Sequence, residues 1–361
     1  MASISLCMIV RDEEKTIGRC LDCVKDIVDE IIIVDTGSKD KTKEIVSKYT
    51  DKIYDFEWIK DFSAARNFAF SKGTSEYLMW LDADDIITPE NQKKLVELKK
   101  SLNPGIDMVM CLYATAFDAN GNITFSFNRE RIMKNCDKAV WGGAVHEAIS
   151  PFGNVIHSDF TVYHKKLHVN DPGRNLDIYE NKIKTGAEFS PRERYYYARE
   201  LSDHKRYQDS IDNLKLFLED GNGWIEDNIN ACLVMGNCFN ALDQADKALQ
   251  SFLYSFTYDC PRPELCCAIA RHFFDKDSFK QAAYWYEAAL ANSVLIHKKP
   301  IRGFITEDCH GFLPALQLCV CYDKMKDHKK AYEYNEMAGT FKPENQSYLY
   351  NKDYFKKLGF K

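Results

Sequence analysis

The sequence predicts an α/β domain with a mainly parallel sheet, followed by an all-α domain of helical repeats, and three observations carry that prediction. Apolar runs of strand length alternate with helix-period stretches early in the chain, the pattern of a sheet with helices on both faces. The run Tyr77-Leu78-Met79-Trp80-Leu81 is wholly apolar, reads as a strand buried on both faces, and ends in Asp82, Asp84 and Asp85. From about Pro191 no convincing strand remains, and small residues recur at helical spacing.

The elements follow in order. Ser3 to Val10 is a strand by its Ile and Val content, and Arg11 to Thr16 is a polar loop leading into a helix through Ile17, Leu21, Val24 and Val28. Asp29 to Asp35 is a second buried strand that also ends in a carboxylate. Thr36-Gly37-Ser38-Lys39-Asp40 is a turn, with Ser38 or Asp40 placed to cap a helix from Thr42 to Tyr49. Asp61 or Ser63 opens another helix that carries Arg66 near its start, where backbone N–H groups and a guanidinium together favour phosphate. A solvated charge is the plainer reading of that arginine. Parallel alternation puts Asp35 and Asp82 at the same carboxyl edge, where open α/β sheets bind ligands. Neither Gly-x-Gly-x-x-Gly nor Gly-x-x-x-x-Gly-Lys-Ser/Thr follows these strands, so the usual dinucleotide fold and the P-loop are unsupported.

In an extended chain Asp82 and Asp84 share one side and Asp85 points away. Like charges so close destabilise one another unless a cation sits between them, and a hard divalent ion with oxygen ligands is the simplest remedy. The competing reading makes these acids caps for the helix begun by Thr88-Pro89-Glu90, a task for which Thr88 suffices. Asp35 reads equally as a hydrogen-bond partner for a nucleoside or as a turn aspartate.

Composition narrows the class. At 361 residues the chain has room for two domains, and a net charge of −6 argues against nucleic acid as a partner. Apolar runs such as Ile4 to Val10 are too short to span a bilayer, so no transmembrane segment is expected. No Lys or Arg precedes that run and acidic residues follow it, unlike a signal peptide. The expected location is the cytoplasm, with peripheral attachment at the inner membrane surface as an option. Thirteen cysteines then read as reduced and mostly buried. Cys20-x-x-Cys23 lacks the second pair a zinc site needs and reads as two positions of an amphipathic helix.

Four stretches together resemble a known family: Ser5-Leu6-Cys7-Met8-Ile9-Val10-Arg11-Asp12-Glu13, Ile33-Val34-Asp35-Thr36-Gly37-Ser38, Asp61-Phe62-Ser63-Ala64-Ala65-Arg66-Asn67 and Trp80-Leu81-Asp82-Ala83-Asp84-Asp85. In this order they resemble the family 2 inverting glycosyltransferases of GT-A fold. They are most similar to a bacterial branch with tetratricopeptide-like helices behind the catalytic domain, which includes peptide S-glycosyltransferases and cell-envelope sugar transferases. The resemblance implies that Met8, Val10, Arg11, Glu13, Asp35 and Gly37 hold the base and ribose of a nucleotide sugar, usually a UDP-sugar. It places Arg66, Ala83 and His146 with the same donor, and it gives Asp82 and Asp84 to Mg²⁺ or Mn²⁺ against the diphosphate.

Inverting transfer also needs a base for the acceptor's proton. Val140-Trp141-Gly142-Gly143-Ala144-Val145-His146-Glu147 resembles the family's Val-His-Glu stretch, which makes Glu147 the expected base and His164 a later metal ligand. Asp85 or Asp159 as base, and His146 as metal ligand, are the alternatives. Many members carry Glu-Asp where this chain has His-Glu. Arg129 and Arg131 resemble a strand-end arginine of the family and either face the diphosphate or are solvated.

Residues 1–170 are thus expected to form the glycosyltransferase domain, 171–190 a helical linker with a turn at Asn170-Asp171-Pro172-Gly173, and 191–361 the repeats. Tyr207-x-x-Ser210, Ala245-x-x-Ala248, Phe279-x-x-Ala282 and His328-x-x-Ala331 each mark a second helix of a pair. The step from Ala245 to Phe279 has tetratricopeptide length. Ile301 to His310 reads as an insertion able to cover the active site. The expected activity is metal-dependent transfer of a glucose- or N-acetylhexosamine-type sugar to a protein or peptide held by the repeats. An envelope polysaccharide or lipid-linked acceptor is the first alternative and an inactive repeat scaffold the second; a homodimer stays open.

Overall fold

A computed structural model describes residues 2–118, 120–167, 173–296 and 305–360. The turn expected at Asn170-Asp171-Pro172 and residues 301–304 of the expected insertion lie outside them. The chain divides into two compact units, Met1–Glu193 and Arg194–Lys361.

The first unit runs β1 (Ile4–Val10), α1 (Ile17–Asp22), β2 (Glu30–Asp35), α2 (Thr42–Val46), β3 (Ile53–Asp55), α3 (Phe62–Phe70), β4 (Tyr77–Met79), β5 (Asp85–Ile86), α4 (Pro89–Ser101), β6 (Met108–Phe117), β7 (Ile123–Lys134), β8 (Trp141–Gly142), β9 (Ala148–Ile149), β10 (Val155–His164) and α5 (Arg174–Lys184). Its sheet has the order β3-β2-β1-β4-β7-β6-β10-β5. β1 pairs in parallel with β2 and β4, β2 with β3, and β10 with β6. β7 runs against β4 and β6, and β5 against β10. All strands but β7 and β5 therefore point their carboxyl ends the same way, and the α/β class with a mainly parallel sheet holds.

Alternation along the strands builds two apolar layers. Leu6, Met8 and Val10 of β1 pack with Ile17 and Leu21 of α1 on one face. Cys7, Ile32, Val34, Leu78 and Trp80 pack on the other. Burial on both faces is why these strands are near-continuous hydrophobic runs.

The structure corrects the reading of the acidic stretch. β4 ends at Met79, short of Leu81, although Trp80 stays on β7, its N–H donating to the Arg131 carbonyl at 3.4 Å and its Nε1 to the Glu130 carbonyl at 2.6 Å. The chain then folds into a turn: Asp85 N donates to the Asp82 carbonyl at 3.0 Å, and Asp82 N to Asp85 Oδ2 at 2.9 Å. Alternation runs on through Leu81, which packs with Met79 while Trp80 packs with Leu78, and stops at this turn, so Asp85 does not point away from Asp82. The aspartates do not cap α4 either; Thr88 holds the N-cap position without a side-chain cap bond, and its hydroxyl accepts from Asn91 instead. Asp61 does cap α3, accepting from Ala64 N at 3.0 Å.

The second unit contains all but the first three residues of α6 (Pro191–Asp203), then α7 (Tyr207–Asp220), α8 (Ile225–Ala241), α9 (Ala245–Tyr254), α10 (Pro263–Phe274), α11 (Phe279–Ile296), α12 (Phe312–Lys324), α13 (His328–Phe341) and α14 (Gln346–Lys357). Tyr207, Ala245, Phe279 and His328 are the first residues of α7, α9, α11 and α13. Ser210, Ala248, Ala282 and Ala331 are fully buried, as small residues must be where paired helices approach closely. Before each of these helices one residue adopts a left-handed backbone: Lys205, Asp243, Asp277 and Lys326, at φ 61°, 57°, 54° and 67°. The same turn thus recurs with different residues, a repeat that is structural more than sequential. Among the described residues no helix is long and apolar enough to cross a membrane.

Candidate functional site

Parallel strands deliver their following loops to one edge of the sheet, and two acidic stations form there. After β2, Asp35 is 1% exposed. Its Oδ1 accepts from Gly37 N and Ser38 N, both at 2.9 Å. Gly37 can turn there because it adopts φ 107°, open to glycine without strain. Asp35 Oδ2 is buried and has no partner among the described residues, an acceptor awaiting a donor. Beside it Thr36 closes onto the Val10 carbonyl. Met8 and Val10 turn their side chains into the core, as does Ala83, so any contact of theirs with a nucleotide is through backbone. Arg11 is exposed at the edge, 3.9 Å from Asp12. Glu13 accepts from the Thr16 hydroxyl, and its N–H donates to Thr42 Oγ1 at 2.7 Å.

The second station is the turn after β4. Asp82, Asp85 and His164 each offer an atom within 4.8 Å of the others. His164 ends β10, which pairs with β5 so that His164 sits opposite Asp85. Its Nδ1 is 3.0 Å from Asp85 Oδ1, 3.2 Å from Asp84 Oδ1 and 2.9 Å from the Tyr113 hydroxyl. Burial disfavours the imidazolium, but the bonds to Asp84 and Asp85 and the charges of Asp82 and Asp85 outweigh it, pushing His164 up to about 10. Asp85 is the hub: wholly buried, it also takes the Tyr113 hydroxyl at 2.9 Å and Arg131 Nη1 at 3.3 Å.

Arg66 ties this turn to the expected base. Its Nη2 lies 2.7 Å from Asp82 Oδ1 and its Nε 2.6 Å from Glu147 Oε1. Burial works against its charge, but Asp82 and Glu147 hold it firmly protonated. Burial likewise opposes the Asp82 anion, while Arg66, His164 and Arg131 keep its carboxyl well below the usual carboxylate range. Asn67, next in α3, clamps the β8 strand by a reciprocal pair with Trp141, donating to its carbonyl at 3.0 Å and accepting from its N–H at 2.9 Å. Helix α3 thereby sets both the arginine and the loop carrying Glu147. Glu147 Oε2 receives no hydrogen bond from a described residue.

The remaining expected site residues are also placed. His146 has a left-handed backbone at φ 52°, and its carbonyl accepts from Arg192. Asp159 is exposed in β10, and the site's contacts do not include it. Neither Arg129 nor Arg131 is a solvated charge: Arg129 pairs with Glu130 and donates to the Glu147 carbonyl, and Arg131 is wholly buried on Asp85. Three arginines, 66, 129 and 131, surround the Trp80 ring at 4.7, 4.9 and 3.7 Å. Tyr113, which touches Asp82, Asp85 and His164, was missed, because a tyrosine inside an apolar strand looks like core.

Fold and site together define an α/β domain that concentrates carboxylates and one imidazole at the carboxyl edge of a mainly parallel sheet. Residues 5–150 match the family described as glycosyl transferase family 2. The glycosyltransferase SunS of Bacillus subtilis is 29% identical over 226 residues, covering 59% of this chain and 52% of that protein. A TPR repeat-containing protein of Synechococcus elongatus is 51% identical over 85 residues, 24% of this chain and 21% of that protein. The chain thus spans about half of the first relative and about a fifth of the second. A crystal structure of glucosyl-3-phosphoglycerate synthase from Mycobacterium tuberculosis with Mg²⁺ and UDP has a TM-score of 0.36 at 14% identity, covering 52% of this chain and 81% of that one. So slight a likeness says nothing about donor, metal or acceptor.

Proposed function

We propose that this chain is a metal-dependent, inverting glycosyltransferase that moves a sugar from a nucleoside diphosphate, UDP-linked by preference, to a protein or peptide. One observation carries the reading: the turn Asp82–Asp85 and His164 form an oxygen-rich donor set linked through Arg66 to Glu147, at the same sheet edge as the orphaned Oδ2 of Asp35. A set of carboxylates with one imidazole fits Mg²⁺ or Mn²⁺ and does not fit a soft, thiolate-seeking ion. Asp82 and Asp84 with His164 would hold the cation, whose chemistry there is to neutralise the departing diphosphate. Asp35 Oδ2 would accept from the nucleoside.

In the transfer the acceptor's oxygen, sulfur or nitrogen forms a bond to the anomeric carbon. The bond from that carbon to the phosphate oxygen breaks, and its electron pair leaves with the diphosphate. The acceptor's proton passes to Glu147 Oε2, while Arg66 fixes Oε1 and so orients the carboxylate. Asp85 is committed to Arg131, Tyr113 and His164 and acts here as an organiser of the turn. A protein acceptor is supported by the helical pairs of the second unit, since such pairs commonly present grooves to extended peptides.

The test is release of free nucleoside diphosphate by the purified chain with Mn²⁺ and a panel of nucleotide sugars, alongside thermal shifts. Asp84→Ala is expected to abolish Mn²⁺-dependent stabilisation by the donor, and Glu147→Gln to keep binding and lose turnover. Turnover surviving in Glu147→Gln moves the base elsewhere. No release with any donor, together with tight capture of a partner by the helices, favours a scaffold.

A further inference from the structure

Helix α1 lies against the acidic turn, and three side chains at or just past its end bond to the backbone of the turn and of Ile87 beyond it. Cys20 Sγ lies 3.3 Å from the Asp82 carbonyl oxygen. Arg19 Nη2 lies 3.4 Å from the Asp84 carbonyl oxygen and also donates to the Lys165 carbonyl, one residue beyond His164. Cys23 Sγ accepts from Ile87 N at 3.3 Å, while its own thiol faces the Cys20 carbonyl at 2.9 Å. Cys20 is fully buried, and Cys23 is 9% exposed.

These bonds add to ones the turn already has. The Asp82 carbonyl also accepts from Asp85 N and the Asp84 carbonyl from Lys165 N, each at 3.0 Å, so Cys20 and Arg19 take the second lone pair of each oxygen and brace the turn from the helix side. Spacing of three on a helix puts the two sulfurs on one face, and Arg19 beside them reaches both halves of the cluster. The aspartates come from one segment and His164 from another. Arg19 joins them, reinforced by Lys165 N donating to the Asp84 carbonyl at 3.0 Å.

We propose that Arg19, Cys20 and Cys23 are positioning residues of this site: they fix the backbone of Asp82, Asp84 and Ile87 and thereby the spacing of the carboxylates and His164 around a divalent cation. The inference rests on the reading of this cluster as a cation site. It also gives the Cys-x-x-Cys pair a task that is neither zinc binding nor disulfide exchange.

The experiment is titration of the full chain with Mn²⁺ alone, counting free Mn²⁺ by electron paramagnetic resonance, with circular dichroism to confirm folding. Cys20→Ala and Arg19→Met are each expected to weaken Mn²⁺ binding tenfold or more. Cys20→Ser, which keeps a donor, recovers most of that loss. Cys7→Ala, a buried cysteine whose Sγ faces the Ser5 carbonyl, controls for general destabilisation and leaves Mn²⁺ affinity unchanged. Wild-type binding with Cys20→Ala and Arg19→Met both within twofold of it overturns the positioning role alone. Equal loss in Cys20→Ser and Cys20→Ala removes the hydrogen bond as the cause and overturns it too. No Mn²⁺ binding by the wild type overturns the cation reading and this inference with it.

Discussion

Replacing Arg66 by methionine keeps most of its volume and deletes the charge that links Asp82 to Glu147. The Glu147 side chain is 11% exposed and its contact with Arg66 is 2.6 Å, so removing the arginine leaves a nearly dry carboxylate unpaired. Breaking a buried pair in this way costs roughly 3–5 kcal/mol. The Asp82 side chain is 31% exposed, so water compensates much of its loss, and that contact adds less than about 1 kcal/mol. The guanidinium also lies 4.7 Å from Trp80 and 4.9 Å from Trp141, worth about 0.5–1 kcal/mol each, part of which methionine restores through sulfur–aromatic contact. A net loss of about 4 kcal/mol is expected. Two units need not unfold in one step, so the assay is hydrogen exchange at the β1 amides, which reports opening of the first unit. The sign of the second mutation sharpens the test. Glu147→Gln destabilises the wild type but stabilises Arg66→Met, because it removes the charge left unpaired, and the coupling energy should reach about 2 kcal/mol. Arg66→Met within about 1 kcal/mol of wild type, with Glu147→Gln acting alike in both backgrounds, would refute the bridge.

Asp85→Asn is expected to destabilise the first unit by about 3–5 kcal/mol, since Asp85 and Arg131 have no exposed side-chain surface; Asp84→Asn, 17% exposed, should instead lose Mn²⁺ stabilisation with little change in folding, both read by thermal shift with and without the ion. Glu30 sets an acid limb. Burial raises its carboxyl, but bonds from Lys52, Ser5 and Thr74 outweigh that and bring it from 4.5 down to about 2. Its contribution, about 3 kcal/mol, is complete above pH 4.5 and lost as pH falls from there through 2, so Glu30→Gln should flatten the melting temperature between those values; an unchanged acid limb would count against the clasp. Gly236→Ala in α8 should destabilise the second unit by about 1–3 kcal/mol despite better helix propensity, because a Cβ there would lie 2.1 Å from the Phe252 ring; Phe252→Leu should relieve it in thermal melts of the double variant.

Much of the fold was legible because its signals are local. The apolar runs of β1 and β2, the Asp61 cap and the small residues opening α7, α9, α11 and α13 each fix structure within a few residues of themselves. The acidic stretch misled where a turn overrode a local rule: Asp85 folds back onto Asp82, and with the extended backbone goes the parity argument for Asp82, Asp84 and Asp85. The Arg66–Glu147 pair spans 81 positions and the Asp85–Arg131 pair 46, distances over which one sequence carries no partner signal. What the residues showed was a need for positive charge, and the structure shows how far the chain meets it. Asp82, Asp84, Asp85 and Glu147 bring four formal negative charges, and Arg66 and Arg131 return two. Arg129 is spent on Glu130. With His164 pushed up to about 10 and so charged, the remainder is one negative charge; were it to give up its proton to bind a cation, the remainder would be two. That second remainder equals the charge of one divalent cation, so under the proposed function the arginines would reduce four acids to a site that a single ion would neutralise.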